Sequence, residues 1–293
     1  MAVWDRQSSG SFIGCEAGYG DGKIVLFGAP FDGTASYRPG ARFAGARVRS
    51  ESYSIETFSP YLDMDLTDRR VDVHDAGDLE LPFGSAEQAL AVIEEYVSGL
   101  YRDVKFPFMI GGEHLVTLGA VRAAVRAFPD LIVVQFDAHA DLRMSFLGEA
   151  LSHATVMRRC YDITGNKRIF QFGVRSGERA EFEFADRHTC MNRFNLTSLN
   201  LALKTPELSN KRVYLTIDLD VLDPSEFPGT GTPEAGGVRF NELLEAARVV
   251  IGNCNVVGLD VTELCPPVDP SGISVSLTCK LIRELLLSIC PLL

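Results

Sequence analysis

Three side chains able to hold a metal ion stand at every second position in Asp137-Ala138-His139-Ala140-Asp141, directly after the apolar run Leu131 to Phe136. Residues two apart in an extended chain point to one side, so two carboxylates and an imidazole converge there. Such a group is costly to desolvate unless positive charge sits among it, and a divalent cation is the simplest source. The same residue types recur at the ends of other apolar runs. His114 follows Gly111-Gly112-Glu113 after Phe106 to Ile110, Asp218 and Asp220 follow Val213 to Ile217, and Asp260 and Glu263 follow Val256 to Leu259. One Asp-x-His or Asp-x-Asp after a strand is equally well explained as a loop or a helix cap. The recurrence is what points to chemistry.

Taken together, His114, Asp137, His139, Asp141, Asp218 and Asp220 offer two imidazoles and four carboxylates, a charge that two divalent ions would balance. Oxygen and nitrogen donors without thiolate favour Mn²⁺, with Mg²⁺, Fe²⁺, Co²⁺ or Zn²⁺ also suited. Two such ions about 3.5 to 4 Å apart can share a water and lower its pKa from about 15.7 towards roughly 7. The chemistry expected is metal-assisted hydrolysis.

These residues must be positioned by the apolar runs that precede them. Short aliphatic segments at Lys23 to Gly28, Arg70 to His74, Phe106 to Ile110, Leu131 to Phe136, Arg168 to Gly173, Val213 to Ile217 and Val256 to Val261 predict strands. Spacing nearer 3.6 predicts helices over Ala86 to Tyr101, Leu115 to Phe128, Ala154 to Tyr161, Phe240 to Ile251 and Ile273 to Ile289. Strands apolar almost throughout are buried on both faces, which implies a three-layer α/β/α fold with a mostly parallel central sheet. Ligands of such sheets bind at the carboxyl ends of the strands, where the unusual residues lie. No linker or internal repeat divides the chain, so one domain over residues 1–293 is expected.

A net charge of -11 and a pI near 5.0 argue against nucleic acid and suit a cationic or neutral small substrate. Residues Met1 to Gly14 lack a secretory signal pattern, and no apolar stretch is long enough to span a bilayer, so a cytoplasmic protein without membrane contact is expected. Seven cysteines without a C-x-x-C pair indicate neither a disulfide framework nor a zinc ribbon. His74 and His188 stand outside the clusters and read as surface or hydrogen-bonded core residues. The basic residues Arg38, Arg42, Arg47 and Arg49 read as a solvated helix face or a subunit contact.

The motifs resemble those of the ureohydrolases, the arginase and agmatinase family. Gly111-Gly112-Glu113-His114, Asp137-Ala138-His139-Ala140-Asp141 and Thr216-Ile217-Asp218-Leu219-Asp220-Val221-Leu222-Asp223-Pro224 look like its three metal motifs, and Pro228 to Gly237 and Gly258 to Glu263 continue the likeness. The resemblance implies an arginase-like fold and a pair of Mn²⁺ ions per chain that hydrolyse a guanidino group to urea and an amine. It implies one ion on His114, Asp137, Asp141 and Asp218 and another on Asp137, His139, Asp218 and Asp220, with Asp137 and Asp218 as bridges. By the same likeness Asp141 orients the nucleophile, Glu263 binds the guanidinium, His153 in Leu151-Ser152-His153-Ala154 shuttles a proton to the leaving amine, and Thr232 bonds near the substrate. A homo-oligomer, trimer or hexamer, is implied as well.

Arginase reads the amino-acid end of its substrate with an Asn just after the second metal motif, where this chain has Leu142-Arg143. Asp141-Leu142-Arg143 together with Gly148 to His153 is similar to agmatinases, so the resemblance implies agmatine as substrate, giving putrescine and urea. Guanidinobutyrate, whose acidic tail an arginine near the mouth would suit, guanidinopropionate and arginine are the alternatives. Glu113 stands where Asp is commoner, and the run Cys265 to Ser271 departs from the family pattern close to where a substrate tail could travel. A binuclear phosphoesterase lacks support, because its additional Gly-Asn-His and Gly-His-x-His ligands are absent. A catalytically silent metal-binding homologue is opposed by the presence of all six ligands with His153 and Glu263.

Overall fold

A computed structural model describes residues 10–68 and 72–293. In chain order the strands are β1 (Ile24–Ala29), β2 (Phe58–Ser59), β3 (Met64–Asp65), β4 (Val73–Asp78), β5 (Phe106–Gly111), β6 (Ile132–Phe136), β7 (Ile169–Val174), β8 (Cys190–Arg193), β9 (Arg212–Asp218) and β10 (Asn255–Thr262). The helices are α1 (Ala44–Glu51), α2 (Ala86–Arg102), α3 (Thr117–Ala127), α4 (Val156–Thr164), α5 (Arg179–His188), α6 (Leu199–Ala202), α7 (Phe240–Asn253) and α8 (Ile273–Ile289). Eight strands form one sheet in the order β4-β1-β5-β10-β9-β6-β7-β8, with every neighbouring pair parallel. The short β2 and β3 pair antiparallel apart from it.

The inner strands are apolar on both faces because both faces are covered. Ile24, Leu26, Phe108, Ile110, Val134, Phe136, Leu215 and Ile217 join a core shared with α1, α7 and α8. The alternating residues Val25, Phe27, Met109, Val133 and Tyr214 enter the opposite core with α2, α3 and α4. Period-two alternation thus distributes one sheet between two helical layers, the three-layer arrangement expected for parallel strands.

Six of the eight sheet strands lie where the apolar runs predict them, while the run Arg70 to His74 meets β4 only at Val73 and His74, its Arg70 and Val71 falling outside the described residues. The edge strand β8 and the helices α1, α5 and α6 were not anticipated. All are short or rich in polar residues, such as Cys190-Met191-Asn192-Arg193 and the Arg179–His188 helix, whose few apolar residues are set among so many charges that no apolar segment announces it.

The reading of the basic cluster as a solvated helix face or a subunit contact is corrected at Arg49. Arg49 is buried and pairs with Asp75 at 2.9 Å and with Asp78, while Arg42 pairs with buried Asp32. Arg42 and Arg47 keep exposed side chains, Arg42 tied to Asp32 and Arg47 to Glu51 one turn on, as a solvated face would. The reason is pairing: a guanidinium enters the interior when carboxylates meet it in its own plane.

Candidate metal centre

Four adjacent strands in the middle of the sheet, β5, β10, β9 and β6, place His and carboxylate side chains at or just past their carboxyl ends. They converge on a cleft of about 250 Å³ lined by residues that include His114, His139, Asp141, His153, Asp218, Asp220, Thr232 and Glu263. A larger groove of about 930 Å³ lies against α7 and α8, but its lining contains no histidine and a single carboxylate, Glu226. Size alone therefore does not mark the site.

Local sequence explains how each side chain arrives. Gly112 is required because a Cβ there would lie 1.9 Å from the Phe31 carbonyl oxygen, so the chain after β5 can pass under the Phe31 loop only as glycine. After β6, the Asp137 carboxylate accepts the His139 N–H at 2.6 Å, and after β9 the Asp218 carboxylate accepts the Asp220 N–H at 2.9 Å. These are Asx-type turns, which fix the carboxylates before any ligand is present. Asp141 and Glu263 occupy the left-handed region, with φ of 54° and 64°. That conformation is uncommon for non-glycine residues and concentrates at functional sites.

The decisive geometry is around His114. Its Nδ1 stands 3.0 Å from Asp137 Oδ2, 3.0 Å from Asp141 Oδ2 and 3.3 Å from Asp218 Oδ2, yet it is buried and makes no hydrogen bond. The other ring nitrogen, Nε2, lies 2.9 Å from Thr216 Oγ1. If Nε2 donates there, the Nδ1 lone pair is aimed at the meeting point of three carboxylates, an arrangement that suits a shared cation. A second constellation contains Asp137, His139 and Asp220, with His139 Nδ1 2.9 Å from Asp220 Oδ2 and 3.7 Å from Asp137 Oδ1. Asp137 belongs to both groups. Asp218 converges with the first, and Thr232 Oγ1 donates to Asp220 Oδ2 at 3.3 Å.

Protonation reports the same demand for positive charge. Burial raises the Asp218 carboxyl well above its usual range and Asp141 up to about 7, the latter aided by the adjacent Asp137 charge. Burial opposes charge on His114, but contacts with Asp137, Asp141 and Asp218 outweigh it and raise the imidazole well above its ordinary value. Six donors without thiolate, carrying four carboxylates, fit hard or borderline divalent cations.

Glu263 and His153 flank this group. Glu263 Oε1 accepts the His114 backbone N–H at 2.7 Å, and burial raises its pKa to about 8. His153 sits just after Ser152, whose hydroxyl reciprocates with Thr155 in a capping box at the entry to α4. Its ring touches Ser36 Oγ through Nε2 at 3.2 Å and meets the Phe146 ring edge-on, and burial lowers its pKa to about 4.

Other contacts were not foreseen. Gln135 donates to Asp137 Oδ2 at 2.6 Å, and Gln171 from β7 donates to Gln135 at 2.7 Å, a buried amide ladder behind a candidate ligand. The only trace in sequence is a lone Gln in each of two apolar strands. Arg143 is pinned at the cleft rim by Glu178 at 3.1 Å and Glu181 at 3.5 Å, and lies 4.6 Å over the Phe146 ring. The run Cys265 to Ser271 contributes nothing to the cleft lining; buried Cys265 instead packs beneath Arg38 and Pro39, with its Sγ 3.6 Å from the Pro39 carbonyl oxygen. His74 and His188 are held by Ala17 O and by Tyr161 and Asn166, away from the centre.

Comparison with known proteins agrees with this architecture. An agmatinase of Bacillus cereus is 45% identical, covering 97% of this chain and 98% of its own length. A crystal structure of an agmatinase candidate from Clostridium difficile has a TM-score of 0.89 and 48% identity, covering 94% of this chain and 99% of that one. The agmatine ureohydrolase of Thermoplasma volcanium has a TM-score of 0.87 at 33% identity, covering 97% and 95%. The Arginase family model matches residues 22–288, and with relatives this similar along almost the entire length the chain belongs to the arginase family.

Proposed function

We propose that this chain is a binuclear manganese ureohydrolase that converts agmatine and water to putrescine and urea. The observation that carries the reading is the orphaned His114 Nδ1 facing three carboxylates, beside a second group that shares Asp137. One ion would be held by His114, Asp137, Asp141 and Asp218, and the other by Asp137, His139, Asp218 and Asp220. Bound Mn²⁺ would supply the positive charge that lowers the pKa of water towards roughly 7.

The chain's own residues carry the remaining steps. Glu263 binds the planar guanidinium, because its Oε2 accepts no hydrogen bond from the described residues while Oε1 is anchored on the His114 N–H. Asp141 accepts a hydrogen bond from the attacking water and orients it. The water oxygen bonds to the guanidino carbon, the bond from that carbon to the tail nitrogen breaks, and His153, neutral at rest, takes up a proton that the water loses and passes it to that nitrogen. A neutral resting His153 does not repel the incoming cation, which agrees with the downward shift that burial imposes on it. Thr232 holds Asp220 and is near enough to the cleft to meet the substrate.

The rim favours a cationic tail. Arg143 is matched against two carboxylates, Glu178 and Glu181, which leave the trio one negative charge in excess. An ammonium tail is attracted there and a carboxylate tail is not, which supports agmatine over guanidinobutyrate. Seven free cysteines suit a reducing compartment, and exposed Tyr37, Phe43, Tyr53 and Tyr61 suit a homo-oligomer, so we further propose a single-domain cytoplasmic assembly. Equilibrium dialysis against Mn²⁺ tests the metal centre. About two ions per chain are expected, and Asp137→Asn, which weakens both sites, should retain fewer than one.

A further inference from the structure

Glu113 is a buried carboxylate with no ion pair among the described residues, 1% exposed, immediately before the candidate ligand His114. An uncompensated buried acid is costly, and here both oxygens are committed to one residue. Thr34 Oγ1 donates to Glu113 Oε1 at 2.5 Å and the Thr34 backbone N–H donates to Oε2 at 2.9 Å.

A hydroxyl has one proton to give. With that proton directed at Glu113, Thr34 Oγ1 presents lone pairs to its other side, where it accepts the His153 backbone N–H at 3.1 Å. Two residues further along the same loop, Ser36 Oγ meets His153 Nε2 at 3.2 Å. The loop is fastened a second time by the Glu113 N–H donating to the Phe31 carbonyl at 2.8 Å. From these contacts we propose that Glu113 is a positioning residue which, through Thr34, fixes the place of His153 relative to the metal ligands. An Asp at this position is one methylene shorter, so its carboxylate would not reach both Thr34 donors with the backbone as it stands.

The proposal rests on His153 as the proton carrier, and its test separates the two ideas. In Mn²⁺-loaded protein, Glu113→Asp and Glu113→Gln should lower kcat by roughly tenfold to a hundredfold, a part of the roughly 10² to 10⁴-fold that general acid–base catalysis supplies, with KM and metal content little changed. Thr34→Val should reproduce the loss, and Thr34→Ser, which keeps the hydroxyl, should lose far less. In a His153→Ala background, Glu113→Asp should cost less than about threefold, because residues acting as a unit are not additive. An equal loss in that background, or a fall in Mn²⁺ affinity parallel to the loss of kcat, would overturn the proposal and assign Glu113 to His114 instead. The ring NMR signals of His153 in metal-free protein should move in Glu113→Asp; unmoved signals in a folded variant would also overturn it. That measurement needs no turnover, so failure of the wild-type protein to release urea would remove the role of His153 in chemistry without deciding its positioning.

Discussion

Thr216 joins His114 to Asp260: its hydroxyl oxygen lies 2.9 Å from His114 Nε2 and 2.6 Å from Asp260 Oδ1. Asp260 is fully buried and its second oxygen accepts the Tyr214 hydroxyl at 2.8 Å. The hydroxyl therefore donates to the acid and accepts from the imidazole, which leaves Nδ1 free for a cation. Thr216→Val removes that relay at constant shape. Loss of such an outer partner typically weakens metal binding by about 10 to 100-fold, and that fall in Mn²⁺ affinity is expected by calorimetric titration. Affinity unchanged within a factor of about two would show that Thr216 does not orient His114.

Asp141→Asn should abolish turnover with the fold retained. Asn is among the few residues that tolerate a φ of 54°, so the backbone of Asp141 does not resist the change. The lost negative charge is what matters, both to a cation beside His114 and to the water that Asp141 orients. Circular dichroism should match wild type, with urea release lowered by at least about 10²-fold.

Glu178→Gln should shift substrate preference at the rim. It leaves Arg143 opposed by one carboxylate instead of two, so the trio becomes neutral. Because Glu178 is largely exposed, the change is of order 1 kcal/mol, or roughly fivefold in the ratio of kcat/KM for agmatine over guanidinobutyrate. A ratio that rises in the variant would contradict this account of Arg143.

Acid sensitivity should carry a His153 component. Burial depresses its folded pKa to about 4, against about 6.5 in an unfolded chain. Between those values the unfolded chain binds more protons, so stability falls as pH drops through the window and the loss levels off below pH 4. Metal-free His153→Asn lacks this loss and should gain on wild type by about 2 kcal/mol between pH 7 and pH 4.5. Denaturant midpoints at both pH values measure it, and parallel losses would refute a buried neutral imidazole.

Much of the centre was legible because its chemistry is written at strand ends. Apolar runs must form buried parallel strands, such strands expose their carboxyl ends to ligands, and His114, Asp137, His139, Asp141, Asp218 and Asp220 all lie there. What could not be read depends on contacts between distant segments. Thr34 and Glu113 are 79 positions apart, Gln135 and Gln171 are 36 apart, and nothing local marks either pairing. Likewise Arg49 looks like a surface residue until Asp75 and Asp78 close around it.

Urea release by Mn²⁺-loaded protein, assayed with agmatine, guanidinobutyrate, guanidinopropionate and arginine, tests the central claim most directly. The account predicts urea and putrescine in equal amounts from agmatine, with agmatine giving the highest kcat/KM of the four. Urea from none of them, in protein shown to hold its metal, would contradict it.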